Sequence, residues 1–185
     1  MSKTSAAAGK ASTSSGHFGL FGLAPAFSID EEALEKAYRE IQTRVHPDRF
    51  AHAGDAERRA SLQWTTRVNE AYRCLRNPVQ RASHLLSLHG VDVAFETNTS
   101  MPVQFLGQQM ELREALEDAI AKRDTKALAS LQSSLDADKR SLEQQIAQAI
   151  DEKEDYPRAA GLVRELQFLE KLEAEIDSAY DTIEQ

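Results

Sequence analysis

The chain has 185 residues, of which 41% are hydrophobic and 6% aromatic, and its 30 acidic side chains outnumber its 22 basic ones to give a net charge of −8. A chain of this length forms one medium domain or two small ones, and we favour two. Its apolar runs are far too short to span a bilayer, so we expect no transmembrane segment and no membrane partner.

The charge is distributed unevenly along the chain. Residues 31–81 contain ten Lys and Arg against eight Asp and Glu, a net charge of +2, whereas residues 102–185 contain ten against nineteen, a net charge of −9. A strongly acidic half repels phosphates, so we expect no nucleic-acid partner. Because Ala, Leu, Glu and Gln are plentiful and Gly and Pro are few, the composition predicts an all-α fold.

Residues 1–16 are predicted to form a disordered tail. After Met1 they contain only Ser, Ala, Thr, Gly and Lys, and none of these side chains can build a core. A transit peptide is the alternative, because acidic residues are absent. Arginine and an apolar stripe are absent too, which makes the transit peptide the weaker interpretation.

Two amphipathic helices of similar length follow, joined by a loop that contains Gly54. The apolar face of the first helix consists of Leu34, Tyr38, Ile41 and Val45. The apolar face of the second consists of Trp64, Val68, Ala71, Tyr72 and Leu75, and Asn77-Pro78 ends it. The first helix begins either with a capping box of Ser28 and Glu31 or with Asp30 as its cap, and both remain open. The two helices should pair as an antiparallel hairpin.

The tripeptide His46-Pro47-Asp48 is expected at the tip of this hairpin, directly after the first helix. Pro47 disfavours the helical conformation of the residue before it, so the helix stops and the flanking side chains project from a turn. Taken alone, the tripeptide is also compatible with a plain helix stop. The basic residues on the preceding helix favour a contact point for an acidic protein surface.

This arrangement resembles a J-domain. In that family the corresponding turn and the basic helix before it dock on a heat-shock ATPase chaperone and stimulate its ATP hydrolysis. The resemblance implies a short first helix formed, with its packing residues, by Phe18, Leu20, Phe21 and Leu23. The chaperone-binding residues that it implies are Lys36, Arg39, Arg44, His46, Pro47, Asp48 and Arg49.

A short helix over residues 79–88, closed by a left-handed Gly90, is predicted to end the N-terminal half. The J-domain would then span residues 17–90, and residues 91–101 are predicted to form a linker of polar, β-branched and Asn residues.

From Pro102 onwards, the apolar spacing predicts three helices over residues 103–123, 125–150 and 157–183. Short connections make sequential helices antiparallel, so residues 102–185 should form a three-helix bundle. The core line of the second helix consists of Leu128, Leu131, Leu135, Leu142, Ile146 and Ala149. The core line of the third consists of Leu162, Leu166, Leu169, Ile176, Tyr180 and Ile183.

The first helix of this bundle has more apolar surface than one core face requires. Its core face consists of Phe105, Leu112, Leu116 and Ile120. On roughly the opposite side, and at its borders, lie Val103, Leu106, Met110, Glu111, Glu114 and Asp118. Phe168 similarly falls outside the core line of the third helix. A neighbouring segment that covers these residues is the plain alternative, but their grouping with carboxylates favours a partner-binding patch.

Five motifs together resemble the HscB family of iron–sulfur cluster co-chaperones, from about Phe18 to near the C-terminus. They are Leu20-Phe21-Gly22-Leu23, His46-Pro47-Asp48-Arg49-Phe50, Arg81-Ala82-Ser83-His84-Leu85-Leu86-Ser87-Leu88-His89-Gly90, Met110-Glu111-Leu112-Arg113-Glu114 and Phe168-Leu169-Glu170-Lys171-Leu172. The resemblance implies an L-shaped protein. Its C-terminal bundle would bind the cluster scaffold protein IscU and its J-domain would bring that scaffold to the specialised heat-shock ATPase HscA.

The scaffold-binding positions of the family fall on Leu106, Met110, Glu111, Glu114, Asp118 and Phe168. The chain departs from the family pattern at Gly107, where a larger apolar residue is common, and at Asp118, where a longer carboxylate is common. These two departures bear on the strength of scaffold binding rather than on the role.

Neither a metal site nor an active site is expected. The five histidines include no pair at i, i+4, Cys74 has no second thiol, and no glycine-rich loop ends in Lys-Ser/Thr. His84 and His89 are interpreted as helix-surface or cap-region residues. We therefore expect a cytoplasmic co-chaperone that needs no cofactor and is not an enzyme. A two-domain helical adaptor that engages no ATPase is the alternative.

Overall fold

The computed structural model describes residues 15–45, 54–95 and 101–184, and every regular element within these ranges is helical. The elements are a 3₁₀ turn Phe18–Phe21, α1 Glu31–Val45, α2 Asp55–Arg76, α3 Pro78–Leu88, α4 Val103–Ala121, α5 Thr125–Ala147, a π-helical turn Gln148–Glu152 and α6 Tyr156–Glu184. The prediction of an all-α fold is confirmed. The described residues form two compact units, and the boundary between the units lies between Gly90 and Val91. Residues 1–14 of the predicted tail lie outside the described residues.

In the N-terminal unit, α1 and α2 form an antiparallel pair. Tyr38 is hydrogen-bonded to Asn69 and Val45 to Ser61, so positions later in α1 meet positions earlier in α2. The core, which α3 and the 3₁₀ turn complete, consists of Phe18, Phe21, Phe27, Leu34, Val68, Ala71, Leu75, Val79, Ala82, Leu85 and Leu86. The short first helix is thus a single 3₁₀ turn, with both of its phenylalanines in the core.

Trp64 is not the core residue that the periodicity predicts, because 47% of it is exposed. The 3₁₀ turn packs on α2 further along the helix, and a groove lined by Leu20 and Trp64 separates the turn from the indole ring. Ser61, one turn earlier, takes a buried position instead.

The caps of α1 and α3 explain where these two helices begin. Asp30 Oδ1 accepts the Ala33 N–H at 3.0 Å, so Asp30 is the cap of α1. Asn77 Oδ1 accepts the Gln80 N–H at 2.8 Å, and α3 starts directly at Pro78. As predicted, Gly90 has a left-handed backbone, with φ +73°.

In the C-terminal unit, α4, α5 and α6 pack against one another, and α5 with α6 forms the most extensive pair. α4 stops at Ala121, two residues before the predicted end, because Arg123 has a left-handed backbone with φ +50°. α5 ends at Ala147, three residues before the predicted end of the second helix of the bundle. The π-helical turn that follows buries Ala149 and Ile150. Of the predicted core residues in α5 and α6, only Leu131, Tyr180 and Ile183 are partly rather than fully buried.

The beginning of the predicted linker packs on the C-terminal unit. Val93 is buried, and its carbonyl oxygen accepts a hydrogen bond from Arg164 Nη1 of α6 at 3.0 Å. Residues 96–100 of that linker lie outside the described residues.

Candidate protein-interaction surfaces

The basic face of α1 lies opposite the face that packs on α2. Lys36, Arg39 and Arg44 are all exposed, and at about 100° per residue Lys36 lies on the side of the helix away from Leu34 and Val45. Arg39 forms an ion pair with Glu35 one turn earlier. These cations alternate with four exposed carboxylates, Glu31, Glu32, Glu35 and Glu40. α1 therefore offers an anionic protein partner separate positive side chains on a mixed surface, not a net positive one.

The predicted contact tripeptide His46, Pro47 and Asp48, together with Arg49, lies outside the described residues. The structure does describe the point from which this segment starts. The carbonyl oxygen of Val45, the last residue of α1, accepts hydrogen bonds from Ser61 Oγ at 2.7 Å and from Thr65 Oγ1 at 3.2 Å. Thr65 Oγ1 also lies 2.9 Å from the Ser61 carbonyl oxygen, so its one proton is shared between two acceptors, and the Ser61 hydroxyl forms the stronger attachment of the C-terminal end of α1.

A polar seam also joins the middle of α1 to α2, and the apolar periodicity does not reveal it. The rings of Tyr38 and Tyr72 stack with centroids 3.9 Å apart. Asn69 Oδ1 accepts hydrogen bonds from the Tyr38 hydroxyl at 3.1 Å and from Gln42 Nε2 at 2.9 Å. The apolar spacing includes Tyr38 and Tyr72 but neither Gln42 nor Asn69, because spacing alone carries no information on hydrogen bonds across helices.

Near the end of α1, the exposed Trp64 borders a groove of about 580 Å³ whose lining includes Ile41, Arg44 and Arg67. The Arg67 guanidinium lies 5.6 Å from the centre of the indole ring. An exposed indole ring beside Arg67, in a groove that Arg44 also lines, is a surface feature that the apolar spacing does not predict, because the spacing places Trp64 in the core.

The 3₁₀ turn is attached to α3 by a histidine pair. The backbone N–H of His17 donates to His84 Nε2 at 3.0 Å, and the two imidazole rings stack with centroids 4.2 Å apart. Burial lowers the pKa of both imidazoles, and nearby Arg67 lowers that of His17 further while Glu70 opposes the shift. His84 is therefore a half-buried packing residue and not the surface or cap residue expected from the sequence.

In the C-terminal unit, the outward face of α4 exposes the apolar side chains that the helical spacing singled out. Val103 is 86%, Met110 64% and Leu106 42% exposed, and these are three of the five large hydrophobic residues exposed in the described part of the chain. The opposite face is buried through Phe105, Gln109, Leu116 and Ala119.

Gln109 occupies a buried position that the sequence analysis did not assign. It is 4% exposed, and its Oε1 finds no hydrogen-bond partner among the described residues. Leu112 and Ile120, expected in the core, are only partly buried, whereas Gln109 and Ala119 are buried.

Carboxylates border the exposed apolar residues of α4. Glu111, Glu114 and Asp118 are exposed and, with Glu117, line a shallow acidic depression of about 480 Å³. Asp118 Oδ2 accepts a hydrogen bond from Lys122 Nζ at 2.7 Å, which raises the pKa of Lys122. Part of the Asp118 charge is thus already balanced within the helix, whereas Glu111 and Glu114 add to the negative field of this face.

Phe168 is half-buried and packs against α4. Its ring meets Phe105 edge to face with centroids 6.0 Å apart, and the Arg113 guanidinium lies 5.2 Å from its centre. Arg113 Nη2 in turn donates to Glu175 Oε1 of α6 at 3.1 Å. Arg113 and Glu175 border the predicted surface but escaped the sequence analysis, because their contact joins two helices that are far apart along the chain.

Helix geometry places these groups around α4 in order. Arg113 follows Leu106 by seven residues and so lies on nearly the same side of the helix, about 60° from Met110. Phe168 therefore borders the Leu106 side of the face, and Glu111 and Asp118 lie on the far side of Met110. The arrangement offers an apolar centre with an aromatic edge on one flank and carboxylates on the other.

Within the described residues, no group of three or more His, Cys, Asp or Glu side chains could hold a metal ion. Cys74 is half-buried, and burial raises the pKa of its thiol. No helix in the described ranges combines the length and apolar composition that a bilayer crossing requires.

Comparisons with known proteins agree on one family. A family model described as "HSCB C-terminal oligomerisation domain" matches residues 101–177. A relative from Azoarcus sp. (strain BH72), "Co-chaperone protein HscB homolog", is 50% identical over 168 residues, which cover 91% of this chain and 95% of the relative.

Two solved structures are similar over most of the chain. The chaperone HscB from Vibrio cholerae is 34% identical with a TM-score of 0.80, covering 90% of this chain and 98% of that one. The human co-chaperone protein HscB is 28% identical with a TM-score of 0.81, covering 87% and 80%. The chain therefore belongs to the HscB family of co-chaperones, which act in iron–sulfur cluster assembly.

Proposed function

We propose that this chain binds an iron–sulfur cluster scaffold protein of the IscU type and delivers it to a heat-shock ATPase chaperone of the HscA type, whose ATP hydrolysis it stimulates. The observation that carries the proposal is the outward face of α4. In a member of the HscB family, it exposes Leu106 and Met110 beside the carboxylates of Glu111 and Glu114.

The scaffold-binding surface consists of Leu106, Met110, Glu111, Glu114, Asp118 and Phe168. Its apolar side chains gain free energy when a partner removes them from water, and Met110 adapts its shape to the surface it meets. The carboxylates speed encounter with a basic partner and set its orientation. Phe168, which contacts Phe105 and Arg113 and is half-buried, adds aromatic surface for the same partner.

The chaperone-binding surface consists of Lys36, Arg39, Arg44, His46, Pro47, Asp48 and Arg49. The cations of α1 attract an acidic surface of the ATPase. Contact with His46, Pro47 and Asp48 has to favour the hydrolysis-competent conformation of the ATPase over its resting one, because a contact equal in both conformations shifts nothing. The groups that cleave ATP belong to the partner.

Joining the two surfaces in one chain explains how modest contacts suffice. When the scaffold is already bound to the C-terminal unit, its encounter with the ATPase becomes effectively intramolecular. The gain is one of effective concentration and needs no additional contact. The lone, half-buried thiol of Cys74 suits the reducing cytoplasm, where we place this reaction.

Steady-state ATP turnover of the ATPase tests the proposal, measured with this chain and the scaffold, separately and together. Each should stimulate turnover, and the two together should exceed the sum of their separate effects. His46→Gln should abolish the stimulation by this chain while scaffold binding persists. His89→Gln, which changes an exposed histidine at the end of α3, is the matched control and should leave turnover unchanged.

A two-domain adaptor that engages no ATPase is the second candidate. It would be supported if His46→Gln left ATP turnover at the wild-type level while calorimetry still detected scaffold binding. The basic face of α1 would then serve no partner of this kind, and the tripeptide would be a helix stop.

A further inference from the structure

The groove beside Trp64 combines an apolar lining with two cations. Its apolar side chains are Leu20, Ile41, Val45, Trp64 and Val68. Trp64 is 47% exposed, and a second, smaller depression of about 180 Å³ borders the same residue. Apolar surface that a partner removes from water adds to affinity, and tryptophan and arginine are enriched among the residues that dominate protein interfaces.

The cations of the groove are Arg44 and Arg67. Within the described ranges, neither of them is ion-paired with a carboxylate. The Arg67 guanidinium instead lies 5.6 Å from the centre of the indole ring. A guanidinium in this position keeps N–H donors for a carboxylate, which it binds through strong and often paired hydrogen bonds. The groove therefore fits an acidic side chain that stands next to an apolar one.

We propose that this groove is a second docking site for the ATPase chaperone, and that it receives a segment of that partner in which an apolar side chain stands next to an Asp or Glu. The apolar side chain lies against Trp64, and the carboxylate pairs with Arg67. Arg44 is exposed and adds attraction during encounter. The inference rests on the proposed function and goes further, because it assigns the ATPase a contact outside the basic face of α1.

Continuity with the proposed chaperone-binding surface favours the ATPase as the partner. Arg44 belongs to that surface and also lines the groove. Val45, another lining residue, directly precedes the tripeptide His46-Pro47-Asp48. A protein that contacts Arg44 and the tripeptide thus lies within reach of Trp64.

The charge of the groove disfavours two other occupants. Residues 1–14 end close to Gly16, which lines the groove, but they contain two lysines and no acidic side chain. They would add positive charge next to the two arginines. The scaffold fits less well, because the carboxylates of α4 require a basic surface on that partner.

Fluorine NMR tests the partner directly, because Trp64 is the only tryptophan of the chain. A full-length chain labelled with fluorotryptophan gives one resonance. A purified HscA-type ATPase should shift or broaden it, whereas an IscU-type scaffold should leave it unchanged. A shift caused by the scaffold, or by raising the concentration of the labelled chain alone, would overturn the ATPase as the occupant.

Steady-state ATP turnover measures the contribution of the groove, at about pH 8 so that His17, whose pKa is lowered, stays neutral. Trp64→Ala should raise the chain concentration that gives half-maximal stimulation about tenfold, because the apolar anchor is lost. Arg67→Gln should raise that concentration several-fold, and Arg67→Lys should restore part of the loss. Maximal stimulation should stay at the wild-type level in all three variants, because each keeps the tripeptide.

Leu62→Ala is the matched control. Leu62 is 54% exposed and lies on α2 about 200° around the helix from Trp64, so its loss should not change the half-maximal concentration. Equal losses in Leu62→Ala and Trp64→Ala would overturn the groove as a specific site. Wild-type behaviour of Arg67→Gln would overturn the acidic occupant.

The failure of the groove is distinguishable from that of the proposed function. Stimulation by the wild-type chain with an unmoved fluorine resonance would overturn the groove alone. A wild-type chain that neither stimulates nor binds the ATPase would overturn the proposed function and this inference together.

Discussion

The outward faces of α1 and α4 are both solvated, but they differ in what they offer a partner. α1 presents the cations Lys36, Arg39 and Arg44 among four exposed carboxylates and no large exposed apolar side chain. α4 presents Val103, Leu106 and Met110 beside carboxylates. Charges at an exposed rim act mainly on the rate of encounter, and apolar side chains removed from water act mainly on affinity. Under the proposed function, the C-terminal unit would therefore hold the scaffold, and the N-terminal unit would meet the ATPase briefly.

The largest effect is expected at the apolar face. Met110→Ala combined with Phe168→Ala should weaken scaffold binding by about 3 kcal/mol, roughly 100-fold, because Met110 lies at the centre of the proposed contact and Phe168 forms its aromatic flank. Calorimetry measures the loss, and circular dichroism should show that the helices persist, since Met110 is exposed and Phe168 only half-buried.

Leu166→Ala is the matched control for that double variant. Leu166 is fully buried in α6, so its truncation should cost about 2–5 kcal/mol of unfolding free energy. If the double variant lost as much unfolding free energy as this control, Met110 and Phe168 would be core residues and the proposed binding surface would be wrong.

A smaller effect, on rate, is expected at the basic face. Lys36→Gln combined with Arg44→Gln should slow association with the ATPase several-fold at low salt and leave dissociation nearly unchanged, because both are exposed charges. The difference should fade as salt screens the attraction. Stopped-flow kinetics with Lys126→Gln and Lys153→Gln as controls in the other unit would measure it. A change confined to dissociation would contradict the comparison.

The smallest effect concerns stability and pH in the N-terminal unit. The pKa values of His17 and His84 are lowered in the fold, so the unfolded chain binds protons more readily than the folded chain. Their contribution to stability is present above the ordinary histidine pKa, about 6.5, and is lost as the pH falls through the folded values. Protonation also removes the Nε2 acceptor of the His17 N–H.

Melting curves between about pH 5 and pH 8 should therefore show stability that rises with pH, and His84→Phe should flatten that dependence. Arg67 and Glu70 face His17 and move its pKa in opposite directions. An Arg67→Gln variant should shift the transition to higher pH. A wild-type chain whose stability did not change over this range would show that the pair stays in one protonation state.

Much of the fold follows from the sequence because the apolar spacing is regular where helices pack on one another. The four helices whose bounds were predicted, α3 to α6, lie within three residues of those bounds, whereas the apolar face of α2, which begins at Trp64, did not locate its start at Asp55. The prediction of a family member that is a co-chaperone and not an enzyme is confirmed by the relatives. The helix ends were less accessible, since they depend on single side chains such as Asp30 and on the left-handed backbone of Arg123.

The surfaces could be predicted only in part. Exposure of Met110 and Leu106 follows from their position opposite the core line, so periodicity was sufficient. The contacts of Arg113 with Phe168 and Glu175 depend on how α4 lies against α6, which spacing along one helix does not determine. Trp64 illustrates the converse error, because it lies on the predicted core line of α2 and is nevertheless 47% exposed among the residues that the structure describes.

The two hydroxyls on the Val45 carbonyl have a thermodynamic consequence for the segment that follows. An ordinary helix frays at its last turn, and a partner that binds beyond such a turn must immobilise it at the moment of encounter. With Ser61 and Thr65 holding this last carbonyl, that loss of conformational entropy occurs during folding. The segment after Val45 therefore starts from a helix end that α2 holds in place. In the proposed contact with the ATPase, more of the interaction energy would then remain to shift the equilibrium between the conformations of that partner.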